Sequence, residues 1–594
     1  MSVIATNAAV SADSVGPIRP RPERSAFVVR GLWVAAAVAL VAFTIFWRLG
    51  QPALIQADEG RSAEIAREMN VTGSWLVPTL NGIPHLDKPP FFFKLVGLAQ
   101  TAVGDPEAAT RLPSACFAAL LLGLVVAFHR AAYGARGDFL AMAILCATPL
   151  FLVFARTAIL DMTLAFFTCS AIFAGYRAEA SDGRARSRWY LVGAASVGIA
   201  TLIKGPVGFL VPGLVLTLFH LLERRPDALR RLFAPRHALV FLALVLPWFV
   251  GVSILHPDFP GYGLIHESLR RYATDEFHRR GSLYFFPVVL VAGCFPWSLL
   301  FAESAIAGWR ARARLRRADR LCLVWVLVEL VFFSISQSKR AGYVLAATVP
   351  LAMLIGRVFE AAFRGELASA RVVGRASLAL ALVAAAAAAL RMAVSFSPAL
   401  ARSVALSWPD PAEALQRHPV APVIALFAIA GLGLFAHLRR SARVAFAAFL
   451  LFPLAILVSV FPAYVATAES RSSRTLVQAM PALPAGTEVA CLLCFPTALP
   501  FYLGRTLTVF TKTGNEITSN YLTFMLERGD AWPDGLFPVG TLDAWLDGRN
   551  HPVYMIAKSK RGEALSAIAA GRRSRAERLT PDYVGALILP TADR

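Results

Sequence analysis

Charge is scarce in this chain. Only 16% of its 594 residues are Asp, Glu, Lys or Arg, 57% are hydrophobic, and the mean hydropathy is +0.58. That balance excludes an ordinary soluble domain and reads as a polytopic α-helical membrane protein. Acid is scarcer than base, with 38 Asp and Glu against 59 Lys and Arg. Cysteine is scarce too: Cys116, Cys146, Cys169, Cys294 and Cys322 sit in or beside apolar runs, so the seven cysteines form no disulfide framework. Cys491 and Cys494 make a C-x-x-C without the second ligand pair of a zinc site or a thioredoxin-like surround. No repeat of 20 to 50 residues is visible, which argues against a solenoid. No small-residue cleavage site follows the first apolar run, so that run reads as an uncleaved anchor behind a polar tail, residues 1–30.

What the chain does have is apolar length. Spans are expected at 31–47, 107–129, 138–155, 158–176, 189–203, 205–222, 238–255, 284–303, 321–336, 341–356, 376–394, 421–438 and 444–465, each near the ~20 residues a bilayer requires. Thirteen crossings leave the amino terminus in the cytoplasm and the carboxyl terminus outside.

The net charge of +21 raises the question of a nucleic-acid partner, and its placement answers it. The segments assigned to the cytoplasm hold 28 Arg or Lys against 9 Asp or Glu, whereas the three longest on the other side, 48–88, 256–283 and 395–420, hold 10 against 11. Basic residues therefore mark the cytoplasmic face, and insertion rather than a polyanion accounts for them.

One apolar stretch, residues 89–104, would invert every later loop if it crossed. It is expected to be an interfacial or re-entrant helix. The alanine run at 384–389 reads as close helix packing. Beyond residue 466 the apolar runs shorten, as in "TEVACLL" and "HPVYMIA", and alternate with helical stretches, which predicts a small periplasmic α/β domain over 467–594. The membrane domain then covers 31–466, with loops 48–106 and 256–283 outside.

Polar residues collect in five places against this background. They are the loop "QADEGRSAEIAREM", with Asp58 and Glu59, running on to "HLDKPP" with Asp87 and Lys88; "ARTAILDM" with Asp161; "IKGP" with Lys204; "HESLRRYATDEFHRR" with His266 and Arg271; and "SQSKRAGY" with Lys339, Arg340 and Tyr343. Taken singly, Asp58 reads as a helix N-cap and Lys88, Lys204 and Arg340 as interfacial anchors. Asp161 is harder to explain so, because a carboxylate beside an apolar span is costly and is usually paired or functional. The topology sends all five clusters to one face. Carboxylates beside cations there suit group transfer from a phosphate leaving group whose lipid tail lies in the bilayer.

The order of "DEGRSAEIAREM", "GIPHLDKPPFFF", "TRLPSA", "RTAILDM", "LIKGPVG", "HESLRRY" and "SKRAGYVL" resembles the bacterial aminoarabinose transferases of lipid A and, more distantly, protein O-mannosyltransferases, membrane glycosyltransferases of the GT-C fold. The resemblance covers most of residues 30–360. It implies transfer of a sugar, aminoarabinose-like, from undecaprenyl phosphate to a periplasmic acceptor with inversion at the anomeric carbon, in the bacterial inner membrane. It also implies that Asp58 is the principal catalytic carboxylate and Asp161 the second, with Glu59 and Lys204 in the same cavity. Lys88, Arg271 and Tyr343 match positions that line the donor phosphate site, and Lys339 and Arg340 join them on charge and location.

A divalent ion has been associated with such sites, which here points to Asp87 and His266; the sequence reads "DKP" where these transferases usually read "EKP", and two ligands make a poor site alone. No other cofactor is implied. A lipid A phosphate acceptor would need only orientation and screening, whereas a protein or glycan hydroxyl would need Asp58 as base. Two alternatives stand beside these: a transporter of lipid-linked sugars, which commonly shows duplicated halves, and a scaffold, which would not need five charged loops on one face.

Overall fold

The computed structural model describes residues 24–55, 57–135, 137–270, 272, 281–407 and 420–590. All thirteen expected spans fall on helical segments. Five helices, Pro106–Tyr133, Pro226–Leu255, Leu367–Phe396, Val420–Arg439 and Ala442–Ser470, are both long and apolar enough to cross a bilayer unaided. Two bent pairs raise that number to seven: Asp138–Cys146 with Pro149–Ala155, broken by 69°, and Phe285–Gly293 with Trp297–Arg310, broken by 109°. The other expected crossings are shorter or carry charge at their ends, as in Asp161–Ala178 and Gly183–Lys204.

The bundle is held by an apolar core in which Trp297, Trp325, Phe128 and Phe359 are fully enclosed. Small residues let its backbones approach: a Cβ on Gly433 would stand 2.9 Å from the Ser377 carbonyl oxygen, and Ala384 and Ala388 in the alanine run are wholly buried. The stretch expected to lie at the interface forms the helix Phe91–Ala102. Its twelve residues reach about 18 Å, short of a hydrocarbon core of about 30 Å. It lies between the acidic helix Asp58–Thr72 and the helix Pro106–Tyr133.

Between the acidic helix and the Phe91 helix sits a hairpin, β1 (Thr79–Leu80) and β2 (Ile83–Pro84), turned by Asn81 and Gly82 at φ of 57° and 75°. An Asn-Gly pair at positive φ matches the twist of the two strands. The Asn81 amide also leaves the hairpin: it donates to the Leu507 carbonyl and accepts from the Leu507 N–H, at 2.8 and 2.7 Å.

Those bonds reach a six-stranded sheet built from β3 (Glu488–Leu492), β4 (Thr508–Thr511), β5 (Leu536–Pro538), β6 (Val553–Lys558), β7 (Ala576–Arg578) and β8 (Tyr583–Ile588). Its order is β5-β4-β3-β6-β8-β7, parallel through the first four and antiparallel at the last two. Side chains of period two split between its faces. Val489 and Cys491 join a core shared with Ile65, Met69, Phe92 and Phe93 of the membrane-proximal helices, while Ala490 and Leu492 join a separate core with Met555 and Leu565. The sheet is thus seated on the acidic helix and the Phe91 helix by one apolar face.

Candidate active site

The chain enters the acidic helix through Ala57, whose φ of 74° turns it sharply into Asp58. Successive helical residues point about 100° apart, so neighbouring carboxylates take different neighbours. Asp58, with a side chain 37% exposed, faces a cavity and pairs with Arg61 at 2.5 Å and with Arg340 at 3.6 Å. Glu59 turns into the bundle, where Arg111 holds both of its oxygens at 2.8 Å and the Ala158 and Ile55 amides donate to them.

Asp161 begins the helix Asp161–Ala178, and Lys204 ends the helix Gly183–Lys204. Gly205, at φ 73°, turns the chain immediately afterwards. The Lys204 ammonium stands 2.5 Å from Asp161 Oδ1 and 4.7 Å above the Tyr343 ring. The glycine of "RAGY" makes room for this: a Cβ on Gly342 would lie 2.8 Å from Asp161 Oδ1.

Lys88 donates to the Asp87 carbonyl at 2.7 Å and pairs with Glu267, which also accepts from the Asn520 side chain at 2.9 Å. Asp87 itself is saturated. Its Oδ1 accepts from the Tyr262 hydroxyl at 2.8 Å, the Tyr521 amide at 2.8 Å and the Ser519 hydroxyl at 3.4 Å, and its Oδ2 accepts from the Asn520 amide at 2.8 Å. Burial opposes the charge on Asp87, but the attraction of the His85 ring, the two amides and the Lys88 ammonium together outweigh it and hold the carboxyl below its usual range. Burial also pushes the neighbouring His85 imidazole down to about 4, so it is neutral at pH 7.

Asp58, Asp161, Lys88, Lys204, Arg340 and Tyr343 all line one cavity of about 700 Å³, part of it open to solvent. Five elements far apart in the chain meet there, on the face of the bundle that carries the sheet. The cations face carboxylates, so an incoming phosphate exchanges partners with Asp58, Asp161 or Glu267 instead of filling an empty cationic cradle. A second, mostly apolar pocket of about 300 Å³ shares Asp161 and Tyr343 with the first and extends between the helices Asp161–Ala178, Val207–Leu222 and Arg317–Ile335.

Other expected members stand elsewhere. Glu59 does not reach the cavity, because the guanidinium of Arg111 compensates its charge inside the bundle. Lys339 caps the end of the helix Arg317–Ile335, donating to the carbonyls of Phe333, Ser334 and Ser336, since the last carbonyls of a helix lack intrahelical partners. Arg271 lies outside the described residues. His266 stacks on Tyr262 at 5.7 Å and meets Phe524 at 5.2 Å. The pair Asp87 and His266 does not fit a divalent ion: the Asp87 oxygens are committed to N–H and O–H donors, and no three His, Cys, Asp or Glu side chains group suitably among the described residues.

The sequence reading placed Arg61 and His85 in its first polar cluster without giving them a role, and it missed Glu267, Thr518 and Asn520. The first two stood inside quoted motifs, three residues from Asp58 and two from Asp87. Glu267 is the acid of "HESLRRY". Thr518 and Asn520 had no signal, for they come from the sheet domain and only the tertiary fold brings them to the cavity.

The family model described as dolichyl-phosphate-mannose-protein mannosyltransferase matches residues 87–250. Over 329 residues the chain is 32% identical to an undecaprenyl phosphate-alpha-4-amino-4-deoxy-L-arabinose arabinosyl transferase of Sodalis glossinidius, covering 55% of this chain and 58% of that one. A Pseudomonas aeruginosa protein of the same description is 30% identical over 59% of this chain and 64% of its own length. The match therefore spans less than two thirds of these curated relatives. The crystal structure of ArnT from Cupriavidus metallidurans bound to undecaprenyl phosphate is 25% identical, with a TM-score of 0.76 over 95% of this chain and 98% of that one.

A multi-pass helical body with a charged cavity beneath an α/β domain is the GT-C architecture, shared here along nearly the full length of both chains. In sequence and fold the chain is similar to the GT-C aminoarabinose transferases.

Proposed function

We propose that this protein is an inverting glycosyltransferase that moves a 4-amino pentose from undecaprenyl phosphate to a phosphate of lipid A at the periplasmic face of the bacterial inner membrane. In this reading residues 31–466 form the catalytic membrane domain and 467–594 the periplasmic domain, with the amino terminus cytoplasmic. The observation that carries it is the convergence of Asp58, Asp161, Lys88, Lys204, Arg340 and Tyr343 on one cavity, with an apolar pocket beside it that shares Asp161 and Tyr343. The ArnT structure with undecaprenyl phosphate supports the donor class.

The acceptor oxygen attacks the anomeric carbon from the face opposite the leaving group. The new C–O bond forms as the bond between that carbon and the phosphate oxygen breaks, and undecaprenyl phosphate departs with the bonding pair. Lys88, Arg340 and Lys204 neutralise the departing phosphate, and Arg271 belongs with them by its place in "HESLRRY". Asp58 and Asp161 face the sugar and stabilise positive charge building on its ring carbon. A phosphate acceptor needs no base, whereas a hydroxyl acceptor would give its proton to Asp58. No step requires a metal.

The mannosyltransferase description of the matching family model favours a second reading, transfer to a protein hydroxyl. Mass spectrometry of lipid A and of periplasmic glycoproteins from cells with and without the gene separates the two. A pentosamine on lipid A phosphate that vanishes with the gene is expected. An unchanged lipid A profile refutes the lipid acceptor.

A further inference from the structure

The apolar pocket contains one group out of keeping with its surroundings. Glu329 lies in the helix Arg317–Ile335, six residues from its end, about 9 Å along the axis. Its side chain is 1% exposed. Oε1 accepts from the Trp325 indole at 2.7 Å, while Oε2 completes no hydrogen bond of good geometry among the described residues, the Ala347 amide acting on the carboxyl only weakly. Around it the pocket wall is made of Leu164, Ala165, Val207, Val211 and Phe333, with Thr168 as the other polar group not shared with the main cavity.

A carboxylate oxygen so weakly satisfied in such a place is costly, and ionisable groups inside membrane helices mark ligand or ion paths. The pocket shares two of its lining residues, Asp161 and Tyr343, with the main cavity, so the group that completes Glu329 is best supplied by the substrate itself. An apolar wall with one carboxylate takes a small cation better than it takes a phosphate, which the lysines of the main cavity already serve.

We propose that this pocket receives the ammonium group of the amino-sugar donor and that Glu329 is the residue that selects it. The inference rests on the proposed reading of the site as an undecaprenyl-phosphate-sugar transferase. The sugar then lies across the Asp161–Lys204 pair, with its phosphate toward Lys88 and its amine toward Glu329. Glu329 acts on specificity and touches none of the breaking bonds.

The test measures binding and turnover with three probes: undecaprenyl phosphate carrying a 4-amino pentose, the same donor with hydroxyl in place of the amine, and bare undecaprenyl phosphate. Wild type is expected to prefer the amine. Glu329→Gln is expected to raise the requirement for the amine donor roughly 10- to 100-fold, the range for a lost charged hydrogen bond, and to leave binding of the bare lipid unchanged. Thr168→Leu, which narrows the pocket from another helix and leaves the Glu329 carboxyl in place, should act likewise and stands in if the first variant does not fold. Retention of the amine preference by both variants overturns the proposal. Loss of bare lipid binding in parallel also overturns it, because the pocket then houses the first isoprene units. Wild type that binds the donors but transfers neither refutes the proposed function, and the amine preference remains readable in the binding data.

Discussion

Glu59 and Arg111, separated by 52 positions in the chain, form two parallel N–H···O bonds of 2.8 Å at 1% exposure each. Arg111 also donates to the carbonyls of Leu49, Pro52 and Ala53, so the pair ties the loop before the acidic helix to the helix Pro106–Tyr133. Removing one partner of a buried pair leaves the other uncompensated. Glu59→Gln is expected to cost about 3–5 kcal/mol, read as a lower melting temperature in detergent.

Asp58 sits next in sequence and should behave in the opposite way. Asp58→Asn and Asp161→Asn are each expected to lower transfer by roughly 10²- to 10⁴-fold while membrane insertion holds; the melting temperature should hold in Asp58→Asn and fall in Asp161→Asn, which leaves Lys204 without its partner, by less than in Glu59→Gln. Wild-type turnover by both variants would remove them from the chemistry.

Lys88→Ala tests phosphate contact. The donor concentration needed for half-maximal rate should rise by roughly tenfold or more, as expected for a lost charge-assisted bond, and Arg271→Ala should do the same if it faces the same phosphate. An unchanged requirement returns these residues to an anchoring role.

Asp87→Ala leaves the amides of Asn520 and Tyr521 without their acceptor. The seat of the sheet domain loosens, and limited proteolysis should cut faster at the start of the helix Asn520–Glu527. Chelators should leave wild-type transfer unchanged, since Asp87 serves this seat.

His85 gives the stability a defined pH response. An exposed imidazole gains its proton near pH 6.5 and the buried one only near 4, so between those values the unfolded chain binds more protons. Stability is therefore expected to fall as pH drops from about 6.5 towards 4, by on the order of 3 kcal/mol at the bottom of the window. Melting curves across that range should flatten in His85→Gln.

Membrane character, the helical positions and the α/β domain were legible because apolar length and period-two alternation are local properties of the sequence. The sharing of one cavity by Asp58, Lys88, Asp161, Lys204, Arg340 and Tyr343 followed from topology and motif order. Glu59 was misplaced because nothing local separates it from Asp58; only the position of Arg111 tells which carboxylate turns inward. Lys339 was misplaced for a similar reason, since a lysine after a helix serves carbonyls or ligands equally well until the backbone is traced. The placing of Thr518 and Asn520 at the cavity and of Glu329 in the apolar pocket depends on contacts between distant segments, and composition carries no trace of those.

Residues 87 and 88 sit on either side of a single peptide bond with different allegiances. The ammonium of one looks to the ligand space, and the carboxylate of the other grips the amide of Asn520, whose side chain in turn holds Glu267. An anion that draws Lys88 away from Glu267 disturbs the grip on Asn520 from both ends. A reporter fixed to β7, at the far edge of the sheet, should consequently register the arrival of donor although it never meets the lipid.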